Sequence, residues 1–173
     1  YYAKLKHFHD FNNGFEGVYN IEKVSDDNYF SDMSSLITVT SQVNLKQEVF
    51  LNYTKNDWST KLFTQKFQNL TSSSPYERLP SLSISHNKEF MDISGFTTFE
   101  TSTNFDYTKF ERNNDFIGVS PNGSRINARQ TIEVPIERSY GYINPKIIID
   151  LKNYDLEDAN TSSKALLIPT LSF

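Results

Sequence analysis

Cysteine is absent from the chain, which rules out a disulfide framework and a thiolate metal site and leaves the redox compartment open. Alanine is nearly absent as well, occurring only at positions 3, 128, 159 and 165, so the best helix former is missing from almost the whole sequence. No apolar run approaches the roughly 18 residues that a transmembrane helix needs. There is no excess of positive charge: the net charge is −4, which argues against a nucleic-acid-binding surface. A lack of long apolar runs does not exclude a membrane. Strands of a transmembrane barrel need only about ten alternating residues each and leave no hydropathy peak. No secretory leader is legible. The sequence starts within a strand-like run at residues 1–6 and ends within another at 167–173, and it reads as a piece of a longer protein.

What is present is aromatic and polar. Phe and Tyr number 14 and 10, while hydrophobic residues reach only 37%, a composition that favours strands and polar loops over a large helical core. The fold class is all-β. The most ordered pattern lies at 125–151. In its first arm Ile126, Ala128, Ile132, Val134 and Ile136 share one parity, and Arg125, Asn127, Arg129, Thr131 and Glu133 share the other. After a link at Glu137, Arg138 and Ser139, a second arm sets Ile143, Pro145, Ile147, Ile149 and Leu151 against Asn144, Lys146, Ile148, Asp150 and Lys152. Strand side chains point to opposite faces in turn, so each arm has one apolar and one charged face. Both arms are about twice the usual five or six residues.

The rest of the chain repeats this theme. Strands are expected at 1–11, 15–24, 43–54, 58–69, 79–85 and 93–111, then in the two arms, and finally at 167–173, about nine in all. Leu36 to Thr40 is β-prone and either lengthens a strand or forms a short one. Phe15, Gly17, Tyr19 and Ile21 share a face, as do Phe99, Thr101, Thr103, Phe105 and Tyr107. Short turns at 12–14, 55–57, 87–91 and 137–139 alternate with longer polar connections at 25–42, 70–78, 112–123 and 154–164. Up-and-down outer-membrane barrels alternate short periplasmic turns with long outer loops, whereas a sandwich gives no reason for the alternation. Phe11, Phe15, Tyr53, Trp58, Tyr140 and Tyr154 lie near strand ends, where amphipathic rings suit a membrane interface. Tyr140 and Tyr142 fall on the charged parity, which implies a bulge near the turn or inward-pointing rings. Pro135 and Pro145 are read as lying on the apolar parity and as a pair of bulges near a strand end. Pro80 and Pro169 are read as lying close to strand starts.

Several motifs, in order, resemble the barrel of the LptD family of lipopolysaccharide-assembly proteins, also called organic solvent tolerance proteins. They are His9-Asp10-Phe11 with Gly14; Val24-Ser25-Asp26-Asp27-Asn28-Tyr29-Phe30-Ser31-Asp32; Arg78-Leu79-Pro80-Ser81-Leu82-Ser83-Ile84; Gly123-Ser124-Arg125 on through Pro135 to Gly141-Tyr142-Ile143-Asn144-Pro145-Lys146; Asn153-Tyr154-Asp155-Leu156; and residues 167–173. The resemblance implies a segment from the N-terminal half of a large outer-membrane barrel in a Gram-negative bacterium, beginning several strands after the first. It implies lipopolysaccharide as cargo, an LptE-type lipoprotein plug inside the barrel, and a periplasmic LptA-type bridge reached through an N-terminal domain outside this segment. The lateral gate of that family also lies outside it. Residues 25–42 then become an extracellular loop, and the turn at 137–139 becomes periplasmic.

On this reading Arg125, Asn127, Arg129, Glu133, Lys146, Asp150 and Lys152 face the lumen, and Ile126, Ile132, Val134, Ile143, Ile147, Ile149 and Leu151 face lipid. Competing site readings are weaker. His7 and His9 share a strand face but lack a third metal ligand, so polar lumen or strand-end positions are expected. Asp26, Asp27, Asn28 and Asp32 lack the Gly and terminal Glu of an EF-hand loop. No Gly-x-Ser-x-Gly elbow accompanies the three histidines, so no covalent chemistry and no cofactor are expected. Two other classes stay open: a porin-like channel, and a soluble β-sandwich that binds carbohydrate.

Overall fold

The computed structural model describes residues 1–33, 44–70, 75–91, 98–112, 122–157 and 164–173. Eleven strands and one short helix follow in order: β1 (Tyr2–Asn12), β2 (Phe15–Val24), α1 (Tyr29–Met33), β3 (Asn44–Lys55), β4 (Trp58–Asn69), β5 (Glu77–Met91), β6 (Thr98–Glu111), β7 (Gly123–Glu133), β8 (Ile136–Arg138), β9 (Gly141–Ile143), β10 (Lys146–Leu156) and β11 (Lys164–Ser172). Nine of the strands form one antiparallel sheet in the order β1-β2-β3-β4-β5-β6-β7-β10-β11, and β8 pairs with β9 in a separate ribbon. Each sheet neighbour is the next long strand in the chain, so the sheet is a simple meander.

Turn chemistry sets the registers. Asn12, Asn13 and Gly14 all take positive φ, a conformation that Asn and Gly tolerate best. Phe11 is the extra residue where the β1–β2 register shifts beside this turn. Asn56, also at positive φ, closes the Asn56-Asp57 turn between Lys55 and Trp58. The expected turn at 87–91 is not there. β5 runs on to Met91, which pairs with Thr98, because cross-strand partners continue to the end: Asn87 with Ser102, Lys88 with Thr101 and Phe90 with Phe99. The Leu36 to Thr40 run lies outside the described residues.

A bulge in β5 corrects the face of an arginine. Phe63 and Thr108 both pair with Ser81, whereas Gln65 and Phe110 both pair with Arg78, so Leu79 and Pro80 together oppose single residues on each neighbour. Strict alternation would put Arg78 on the face of Leu82 and Ile84. The extra residue moves it to the face of Ser81 and Ser83, since a one-residue slip inverts every side chain beyond it. Pro80, three residues after the start of β5, therefore sits at a bulge, a place where a missing ladder N–H is tolerated. Pro169 is likewise inside β11, opposite Ile149, on a strand with a neighbour on one side only among the described residues.

Pro135 and Pro145 of the central hairpin interrupt the sheet without a bulge. Glu133 still pairs with Lys146, the Val134 N–H donates to the Pro145 carbonyl at 3.1 Å, and pairing resumes at Ile136–Ile143 in the ribbon. Pro145 lies on the apolar parity, but Pro135 shares the parity of Glu133. The ribbon turn falls at Ser139-Tyr140, later than the expected 137–139. Tyr140 is in that turn and 89% exposed, and Tyr142 pairs with Glu137 in an unshifted register. Neither a bulge nor inward packing accounts for these rings. They stand on a ribbon beyond the edge of the nine-stranded sheet.

The sheet is a single layer with almost no core. Among the described residues the buried hydrophobics are Val24, Phe30 and Leu45, at the end of the long connections, where α1 lays Phe30 against the strands and Tyr29 and Leu70 complete the cluster. Nearby, the Gln68 amide donates to the Val24 carbonyl at 3.0 Å and accepts the Val24 N–H at 2.9 Å, continuing a ladder by side chain. A chain of this length folded as a soluble domain would bury a sizeable core, and here no second layer packs on the sheet among the described residues.

Candidate functional site

The candidate site is the pair of faces of this sheet, which differ most in chemistry in the central strands β7 and β10. Across β7 and β10, Arg129 opposes Asp150, Glu133 opposes Lys146, Asn127 opposes Lys152 and Arg125 opposes Tyr154, so all seven candidate polar residues share one face. The Arg129 guanidinium donates from Nε and NH2 to the two carboxylate oxygens of Asp150 at 2.7 and 2.8 Å, a bidentate pairing that fixes both side chains. Asp150 is 7% exposed, one of the two buried polar residues among those described. Lys146 meets Glu133 at 2.7 Å, and the Asn144 amide donates to the same carboxylate at 3.0 Å.

The opposite face carries Ile132 against Ile147, Ala128 against Leu151, Gln130 against Ile149 and Ile126 against Asn153. Ile132, Ile147, Ile149 and Leu151 are all exposed there. Two of the seven apolar candidates stand elsewhere: Val134 lies between β7 and β8, and Ile143 is in the ribbon. Gln130 is the polar intruder on this face, and it is satisfied locally. Its amide donates to Thr101 Oγ1 at 2.7 Å and its carbonyl accepts from Thr103 Oγ1 at 2.6 Å.

Reading the hairpin alone misses how far both faces extend. On the polar side Lys4 pairs with Glu22 at 2.6 Å, the Gln65 amide donates to Glu48 at 2.5 Å, Ser81 and Thr108 hydroxyls lie 2.8 Å apart, and Ser102 donates to Asn87 at 2.7 Å. On the apolar side Leu5, Ile21, Val49, Leu51 and Leu62 are exposed. The expected face-sharing sets, Phe15 with Gly17, Tyr19 and Ile21, and Phe99 with Thr101, Thr103, Phe105 and Tyr107, both keep to this side by register. Parity would have found these residues once the strands of the outer hairpins were aligned with the central one.

Ring pairs gather on the apolar face at the end of the sheet that carries the turns at 12–14 and 56–57. Phe15 and Tyr53 have centroids 4.4 Å apart, Trp58 and His86 4.3 Å, and Phe90 and Phe99 4.8 Å. Phe11 bends over Gly17, where an added Cβ would come within 2.8 Å of its ring. Tyr154 does not join this row. It sits on the polar face at the other end, opposite Arg125. His7 and His9 stack at 6.0 Å on the apolar face toward the turn end of β1, in keeping with the strand-end alternative rather than a polar-face position, because His9 pairs with Gly17 and His7 with Tyr19. Asp32 falls inside α1, while Asp26 lies in the bend before it.

A meander of long strands with one charged and one apolar face, rings at the turn ends and little core defines an incomplete barrel-like all-β sheet. The family model described as LPS transport system D matches residues 1–170, and the chain belongs to that family. It is 34% identical over 161 residues to the LPS-assembly protein LptD of Aromatoleum aromaticum, covering 90% of this chain and 20% of that protein. It is 33% identical over 169 residues to the protein of the same name from Ralstonia nicotianae, with 92% and 20% covered. For that of Nitrosomonas europaea the figures are 29% over 194 residues, 100% and 25%. The chain thus spans about a fifth to a quarter of the length of these relatives.

Proposed function

We propose that this segment is part of the wall of an outer-membrane β-barrel that inserts lipopolysaccharide into the outer leaflet of a Gram-negative bacterium. The observation that carries the reading is the segregation in the central hairpin, where the Arg129–Asp150 and Glu133–Lys146 pairs stand on one face and exposed Ile132, Ile147, Ile149 and Leu151 on the other. An apolar face of this extent left open to water would be an aggregation hazard, whereas hydrocarbon accommodates it. Among the described residues no helix is long and apolar enough to cross a membrane, so any crossing is made by strands.

In this arrangement Arg125, Asn127, Arg129, Glu133, Lys146, Asp150 and Lys152 line the interior, and Ile126, Ile132, Ile147, Ile149 and Leu151 meet lipid. The polar headgroup of the cargo passes along the charged face while its acyl chains remain in hydrocarbon. Paired charges suit such passage, because Arg129 and Asp150 neutralise each other and offer only weak contact to a moving anion. The interior would also hold an LptE-type lipoprotein plug, and the cargo would arrive from an LptA-type periplasmic bridge through parts of the protein outside this segment. The short turns then face the periplasm and the long connections face outward. The relatives are named as assembly proteins, and the reading assigns the chain no covalent chemistry and no nucleic-acid partner.

Depletion of the full-length protein tests the reading. Loss of lipopolysaccharide from the cell surface with synthesis intact is the expected outcome. Normal surface lipopolysaccharide with reduced uptake of small solutes would instead identify a porin-like channel.

A further inference from the structure

The polar face changes character at its long-connection end. Arg129 is held by Asp150, but Arg125, on the same strand and face, is bound by no carboxylate among the described residues. Its guanidinium instead lies 5.5 Å from the Phe110 ring centroid. Phe110 meets Tyr76 edge-on at 6.4 Å, and Tyr76 has the Arg112 guanidinium 5.7 Å from its own centroid. Tyr154 is the direct cross-strand partner of Arg125. Tyr76, Phe110, Arg125, Tyr154 and Leu156 border an open groove of about 320 Å³. Gly123 forms its floor between Phe110 and Leu156, where a Cβ would strike the Asp155 carbonyl. The rim is braced by Asn122, whose side chain accepts the Arg112 N–H at 2.9 Å and whose carbonyl accepts the Glu157 N–H at 2.9 Å.

We propose that this groove is a subsite for an anionic saccharide, with a sugar face on Tyr154 and a phosphate or carboxylate on Arg125. A guanidinium that neighbours an aromatic ring rather than a carboxylate keeps its N–H donors available, and that fork matches the two oxygens of a phosphate or carboxylate. Arg78, brought to this face by the β5 bulge and directly opposite Phe110, adds positive charge beside it. Aromatic rings together with an arginine that no carboxylate among the described residues neutralises suit a ligand that is both a sugar and an anion. The groove lies on the face that the proposed function assigns to headgroup passage, and the inference rests on that reading: it gives the route a holding point near its outer end.

The test uses the full-length protein in cells, with Tyr76→p-benzoylphenylalanine in the groove or Ser83→p-benzoylphenylalanine farther along the same face. After irradiation, adducts are detected by an antibody to lipopolysaccharide, and folding is checked by heat-modifiable migration. The expected result is an adduct at position 76 that falls about tenfold with Arg125→Ala, the loss set by one charge-assisted contact. Arg125→Lys should retain part of it, because charge remains while the planar fork is gone. Cells whose lipopolysaccharide lacks phosphate then separate the anions: loss of the adduct identifies phosphate, and retention identifies a sugar carboxylate. An adduct at 83 with none at 76, or one at 76 indifferent to Arg125→Ala, overturns the subsite and leaves the route standing. No adduct at either position in folded protein overturns both.

Discussion

Lysine placed at Leu151 and at Ile148 should give opposite outcomes, although the two residues are three apart on one strand. β10 has 11 residues, and at a rise of about 3.3 Å per residue it spans about 36 Å. Tilted by about 45°, as barrel strands are, it covers about 25 Å of height, the depth of the apolar band of an outer-membrane barrel. Leu151 is the middle residue of β10, on the apolar face between Ala128 and Leu167. On the proposed membrane reading Leu151→Lys puts an ammonium near the bilayer midplane and should cost about 2–4 kcal/mol. That is a fall of roughly 30- to 1,000-fold in the folded-to-unfolded ratio. Ile148 lies on the polar face between Thr131 and Thr170, and its neighbours on the strand's same face are Lys146 and Asp150. Ile148→Lys gives up some apolar contact but leaves the new charge in a polar setting, at a cost of about 1 kcal/mol or less. The assay is guanidinium unfolding of the full-length protein from lipid vesicles, followed by electrophoretic mobility. Equal costs at the two positions, or a larger cost at 148, would refute the assignment of faces.

Three further outcomes follow from particular contacts. Deleting Pro80 should return Arg78 to the apolar face and reduce the folded fraction in the membrane, read as lost protease protection; unchanged protection would show that the bulge does not control the face of Arg78. Gly14→Ala should destabilise by at least about 1 kcal/mol, because Gly14 has φ +86° and a Cβ there meets the Thr54 carbonyl; the same denaturant titration measures it, and a neutral result contradicts the turn geometry. Arg129→Gln should destabilise by leaving Asp150 unpaired, and adding Asp150→Asn should recover part of the loss, so additive effects in a double-mutant cycle would deny the coupling.

Much of the fold was legible because alternation is a local signal. The strands at 15–24 and 58–69 have the bounds their sequences suggest, since Asn and Gly, or Asn and Asp, punctuate the turns beside them. The end of β5 was harder to read, because Asn87, Lys88 and Glu89 look like a turn in isolation and become strand only through their partners on β6. Proline was hard to read for a related reason: whether Pro80 ends, starts or bulges a strand depends on the count of residues opposite it. The two faces of the central hairpin were readable from parity, but the Arg129–Asp150 pairing needed the register. His7 and His9 went to the apolar face against their polarity, so composition alone could not place them. The groove at Arg125 was invisible in sequence, since Tyr76, Phe110 and Tyr154 come from separate parts of the chain.

The meander itself has a kinetic consequence. Each ladder can begin at its connection and zip away from it, as the β1–β2 register allows from Asn12–Phe15 to Tyr2–Val24, so the loop that must close first is short wherever the turn is short. Hairpins at 13–14 and 56–57 can form early, and later strands can add to a growing edge one at a time, without the slow search that distant pairings impose. The same geometry makes every intermediate a template. Until its neighbour arrives, the newest strand displays a row of unsatisfied N–H and C=O groups together with an apolar face, and any strand that docks first will be kept. Order of addition, rather than final stability, is then what protects this sheet from joining the wrong partner.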